Sequence, residues 1–132
     1  MFIAVPLAPA AMDAIGKVVD RVRARAPGSR PGAPAGERAV RWVRMDGLHL
    51  TLRFIGPIEP ARLGGAETAT REAAAGVAPF EVGLTTSGAF PNERRPRALW
   101  LGATDGVDRL ADLNDRVDTA AERAGWPRDP RP

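Results

Sequence analysis

Three side chains that could act together on a phosphate lie within five residues: His49, Thr51 and Arg53, in the segment Leu48-His49-Leu50-Thr51-Leu52-Arg53-Phe54. The apolar alternation of that segment predicts a strand, in which neighbouring side chains point to opposite faces. Leu48, Leu50, Leu52 and Phe54 then form an apolar face, and His49, Thr51 and Arg53 share the other. An imidazole can hand a proton to a leaving oxygen near neutral pH. A hydroxyl and a guanidinium can bind non-bridging phosphate oxygens and stabilise the charge that builds up on them. A lone histidine in a strand is more often structural or simply exposed, so the row by itself leaves both readings open. The chain has one histidine and no cysteine. No acidic cluster and no second histidine is available to hold a metal, so a metal-independent reaction without any cofactor is expected.

The elements that must carry this row follow from periodicity and punctuation. Phe2 to Val5 is a short apolar run that reads as a buried strand. Met12, Ile15, Val18, Val19 and Val22 recur at helical spacing until Pro27-Gly28 stops them. Residues 28–36, rich in Gly and Pro, read as a loop. Val40 to Val43 predicts a brief strand, and Met45-Asp46-Gly47 a turn into the strand that bears His49. Pro60 opens a helix running to about Ala75, weakened by Gly64 and Gly65. Phe80, Val82 and Leu84 alternate as a half-buried strand, Gly88 to Arg97 reads as a loop, and Ala98 to Leu101 as another strand. Asp105 is placed to cap a last helix in which Val107, Leu110, Leu113, Val117 and Ala121 share a face, and Gly125 to end it. The order β-α-β-β-α-β-β-α predicts an α+β sandwich with helices on one face of the sheet.

The length of 132 residues suits a single domain spanning 1–132. The basic side is almost all arginine, 18 against one lysine, with a formal net charge of +3. Arginine suits phosphate pairing, but an Ala/Arg/Gly/Pro-rich composition has a codon-usage explanation too, so charge alone decides nothing. No basic leader precedes Pro6 and no apolar run approaches membrane-spanning length, which predicts a soluble, cytoplasmic chain with no membrane partner. Arg94, Arg95 and Arg97, flanked by Phe90 and Trp100, read equally as an RNA-backbone contact and as a solvated turn. Trp42 and Trp100 are expected in the core. Asp112 and Arg116 are expected to form a surface pair.

The tetrapeptide His49-Leu50-Thr51-Leu52 resembles the H-x-T-x motif of the RNA 2′,3′-cyclic phosphodiesterases, the 2′-5′ RNA ligase-like two-histidine phosphoesterases. The opening Phe2-Ile3-Ala4-Val5-Pro6-Leu7 resembles that family's first strand. Arg41-Trp42-Val43 with Leu48 to Gly56 resembles its first-motif block. Gly88-Ala89-Phe90-Pro91 and Arg95 to Gly102 resemble its middle loop and strand, in the expected order. The resemblance implies an antiparallel-sheet, two-lobed fold with outer helices, and hydrolysis of RNA 2′,3′-cyclic phosphate ends to 2′-phosphates, with 2′-5′ ligation of tRNA halves as a side activity. It implies that His49 protonates the leaving 3′ oxygen and that Thr51 holds the phosphate. Arg53, Arg95 and Arg97 are added as substrate-binding residues by inference from their positions.

The family carries two such motifs facing each other across a cleft, whereas this sequence holds one. The second is expected just after a segment resembling Trp126 to Pro132, which leads to the expectation of a truncated member with an incomplete second lobe and impaired activity. The complete enzyme is expected to be monomeric. Two alternatives stand beside it: a non-catalytic module that binds RNA ends, and an inactive folded fragment that could associate through an open sheet edge.

Overall fold

A computed structural model describes residues 1–25, 42 and 44–128. The fold is α+β. Its described elements run β1 (Phe2–Pro6), α1 (Pro9–Arg25), β2 (His49–Phe54), α2 (Leu63–Ala74), β3 (Gly83–Phe90), β4 (Ala98–Asp105) and α3 (Val107–Arg123). Single 3-10 turns at Met45–Gly47 and Pro60–Arg62 lead into β2 and α2. The strand expected at Val40 to Val43 and the loop at 28–36 lie outside the described residues, Trp42 excepted.

The strands form two sheets of two, β1 with β2 and β3 with β4. The chain divides into two compact units, residues 4–51 and residues 1–3 with 52–132. In the first unit α1 begins at Pro9, whose fixed φ suits a first helical position. It buries Ile15 and closes with Arg23 and Arg25 in its last turn, where cations complement the helix dipole. The guanidinium of Arg23 lies over the half-buried ring of Trp42, 5.0 Å from its centroid.

The second unit is built on small residues. Ala66, Ala69 and Ala73 form the buried stripe of α2, and Val117, Ala120 and Ala121 that of α3. Spacings of three and four place each set on one helix face. Ile3, Ala69, Ala73, Val117 and Ala120 make one cluster, with Leu52, Ile55, Leu113 and Ala124 packed against it. Ala66, Ala121 and Trp126 make a second, lined by Met1, Ile55, Ile58 and Ala124. Of the expected α3 face, Val107 is exposed and the burial falls on the second half of the helix.

Both ends of α3 are set by glycine. The N-cap is Gly106, not Asp105, which is the last residue of β4. Gly106 has a φ of 72°, and a Cβ there would stand 2.1 Å from the Glu81 carbonyl oxygen, so no other residue fits. At the other end Gly125 adopts a φ of 88° and ends the helix as its sequence position predicts. Its N–H donates to the Glu122 carbonyl at 2.9 Å, and that of Trp126 to Ala121 at 3.0 Å, the paired bonds of a Schellman cap.

The β3–β4 hairpin departs from its sequence expectation. The strand begins at Gly83 and runs to Phe90, so Phe80 and Val82 precede it and Gly88 to Phe90 belong to it. Pairing fixes those limits: the antiparallel register runs from Gly83 opposite Asp105 to Phe90 opposite Ala98. A small, polar segment without alternation is recruited by its partner, which periodicity does not register. Thr85 and Thr104, both skipped by that register, hydrogen-bond to each other through their hydroxyls. Trp100 is not a core residue: it is 39% exposed, with Leu99, Leu101 and Phe90 exposed beside it. A two-stranded ribbon offers no second layer to cover it.

Candidate active site

The turn Met45–Gly47 delivers the chain into β2 and positions the imidazole. His49 is exposed, and its Nδ1 lies 2.7 Å from the carbonyl oxygen of Gly47. A carbonyl can only accept, so Nδ1 carries the hydrogen of that contact. Thr51 is exposed as well, while Leu50 between them is half-buried, the alternation expected of a strand covered on one face. Beside the turn Arg44 grips Asp46 through two bonds, Nη2 to Oδ2 at 2.6 Å and Nε to Oδ1 at 3.1 Å. That guanidinium holds the Asp46 carboxyl below the usual carboxylate range.

Arg53 is placed otherwise than expected. It lies on the His49 side of the strand by alternation, but it is 4% exposed. Nη1 donates to the Asp118 carboxylate of α3. Nη2 donates to the carbonyls of Trp126, at 3.0 Å, and Pro127, at 2.6 Å. Its Nε is buried without a partner among the described residues. This guanidinium is engaged by acceptors from α3 and the residues after it.

Arg95 and Arg97 sit in the exposed turn joining β3 to β4. Asn92 organises that turn by accepting from the backbone N–H groups of Arg94 and Arg95, each at 3.1 Å. The Arg97 N–H closes it on the Phe90 carbonyl at 2.6 Å. The Phe90 and Trp100 rings lie 6.4 Å apart at 44°. Arg116 does not pair with Asp112 but crosses to the end of α2, donating to the carbonyls of Ala73 at 2.8 Å and Ala75 at 2.5 Å. Among the described residues no three His, Cys, Asp or Glu side chains gather as a metal site.

The family model for LigT like Phosphoesterase matches residues 5–100, which hold β2 and its H-x-T-x row. The chain belongs to the LigT-like phosphoesterases. Among curated relatives of this family member, the RNA 2′,3′-cyclic phosphodiesterase of Methanothermobacter thermautotrophicus is 27% identical over 125 residues, 95% of this chain and 61% of the relative. That of Geobacillus stearothermophilus is 32% identical over 131 residues, 99% of this chain and 38% of the relative. That of Aeropyrum pernix is 34% identical over 88 residues, 66% of this chain and 48% of the relative. This LigT-like chain thus spans less than two thirds of the length of these relatives. No solved structure matches it. No described helix is long and apolar enough to cross a membrane.

The exposure of His49 and Thr51 on β2 and the turn before them agree with the sequence pattern, which announces neither the Gly47 carbonyl at the ring nor Asp118 as partner to Arg53. Gly47 two residues ahead of the histidine was a usable signal. Nothing in the spacing of Arg53 and Asp118 announces their pairing.

Proposed function

We propose that this chain carries the acid half of a metal-independent RNA 2′,3′-cyclic phosphodiesterase. His49, protonated at Nε2, would give that proton to the leaving 3′ oxygen as the P–O3′ bond breaks. Water would attack phosphorus, and its proton would pass to a base, leaving a 2′-phosphomonoester and a free 3′ hydroxyl. The Thr51 hydroxyl would donate to a non-bridging oxygen, and Arg95 and Arg97 would meet the RNA backbone. The observation that carries the reading is the exposed pair His49 and Thr51 at alternate positions of β2, with the ring contacted at Nδ1 by the Gly47 carbonyl. The names of the relatives supply the substrate class.

The base belongs to the family's second H-x-T-x motif, and these 132 residues contain no second histidine. Acting alone they are expected to fall short of the two-motif rate by roughly 10²- to 10⁴-fold. A monomeric enzyme in the cytoplasm acting on tRNA halves, with 2′-5′ ligation as a side activity in which a 5′ hydroxyl replaces water as the attacking group, completes the proposal.

The test is turnover of an RNA with a 2′,3′-cyclic phosphate in metal-free buffer, by this chain and by His49→Ala. Slow formation of a 2′-phosphate that disappears in the variant supports the proposal. Turnover unaffected by the variant sinks it. Salt-sensitive binding of the same RNA without turnover would instead indicate a module that binds RNA ends.

A further inference from the structure

The residues that follow α3 are held in an unusual way. A helix end leaves carbonyls without partners, and the Schellman cap at Gly125 satisfies those of Ala121 and Glu122. Beyond Arg123, the carbonyls of Ala124 to Pro127 are taken by two arginines from elsewhere in the same unit. Arg62 Nη2 donates to Ala124 at 3.2 Å and to Gly125 at 3.3 Å. Arg53 Nη2 takes the following two, Trp126 and Pro127. The Arg62 guanidinium also lies 4.4 Å from the centroid of the Trp126 ring, which is itself buried against Ala66 and Ala121. Arg128 then reaches Glu122 at 3.6 Å and Asp118 at 3.9 Å, so Asp118 serves both Arg53 and the outgoing chain.

Burying a guanidinium is a poor way to gain stability, since its desolvation offsets much of what its partners return. What such a group does supply is direction: its planar fork accepts only acceptors placed in its plane, and an apolar side chain would impose no such condition. We propose that Arg53 and Arg62 form a backbone clamp that sets the path of the chain as it leaves α3 past the second half of β2. Arg53 is then a positioning residue, not a phosphate ligand. That last statement rests on the reading of His49 and Thr51 as a phosphate site.

The experiment uses the whole chain labelled with 5-fluorotryptophan, the Trp126 resonance being identified by Trp42→Phe and Trp100→Phe. Arg53→Lys, Arg53→Met and Arg62→Met are compared with the parent by fluorine spectra and amide hydrogen exchange. In both Arg53 variants the Trp126 resonance is expected to move toward its unfolded position. Exchange at Gly125 and Trp126 should quicken at least tenfold relative to Ala69 in α2. Lysine should fail to rescue, because an ammonium keeps the charge without the fork. Arg62→Met, a change at an exposed residue that leaves the core intact, should quicken the same two amides even if Arg53→Met does not fold. Unchanged exchange in Arg62→Met, full rescue by lysine, or loosening equal at Ala69 would overturn the clamp. Titration with 2′,3′-cyclic AMP, followed at the His49 ring proton, completes the test. An affinity in Arg53→Lys within about threefold of the parent is expected, and a much larger loss would return Arg53 to the role of ligand. No response of His49 in the parent would defeat the phosphate-site reading and leave the exchange result to judge the clamp.

Discussion

Replacing Asp118 by asparagine removes the charge opposite a guanidinium whose side chain is 3% exposed, with Asp118 itself at 16%. Deleting one partner of a fully buried ion pair costs about 3–5 kcal/mol, because the other charge stays behind uncompensated. Two features reduce that figure here. Arg53 keeps the carbonyls of Trp126 and Pro127, and an asparagine oxygen still accepts from Nη1. The expected loss for Asp118→Asn is therefore about 2 kcal/mol, or roughly 6–10 °C in Tm for a chain of this size. The exposed contacts of Arg128 add little, as surface pairs do. Urea denaturation followed by circular dichroism measures the loss directly, provided the m-values agree. Arg53→Met combined with Asp118→Leu removes both charges and both desolvation costs, and is expected to be more stable than the weaker of its two single variants. An Asp118→Asn protein within 0.5 kcal/mol of the parent, or a double variant no better than its worse component, would refute the description of this pair as a buried, coupled unit.

Other expectations follow from the same geometry. Arg44→Ala removes the group that depresses Asp46, so the Asp46 carboxyl should titrate closer to its ordinary range by carbon-detected NMR. The sign follows from the depressed folded value: the pair's contribution is present above the unfolded pKa of the carboxyl and is lost as pH falls through its folded pKa. Ala121→Leu inserts methylenes where exposure is 0% and should destabilise by about 1–3 kcal/mol in the same urea assay. Gly125→Ala places a Cβ at positive φ and should cost about 1–2 kcal/mol, with the loss concentrated at the end of α3 in hydrogen exchange. Gly106→Ala should cost more, because its Cβ meets the Glu81 carbonyl as well as the φ penalty.

What was legible in the sequence was local. The 3.6-residue spacing in α1 and α3, the alternation around His49 and the glycine after α3 announce their elements because neighbours along the chain decide them. The β3–β4 register was not legible: Thr85 to Ala89 has no alternation of its own and becomes a strand through its partner. The surroundings of Arg53 were not legible for a related reason. Alternation groups it with His49, yet its acceptors come from α3 and the residues beyond it, more than sixty positions along the chain. Arg116 repeats the lesson, since its i−4 neighbour Asp112 is near in sequence while its acceptors lie at the end of α2. The family resemblance, by contrast, rests on ordered blocks and needed no contact to be seen.

The contact between His49 and Gly47 has a consequence for how such a site can change over time. One contact of the imidazole comes from a carbonyl two residues away, supplied by the turn that leads into the strand. A tripeptide that brings one ring contact of its own with it is portable. It can survive replacement of helices around it, or be transplanted to the start of another strand, and still hold the ring by that contact.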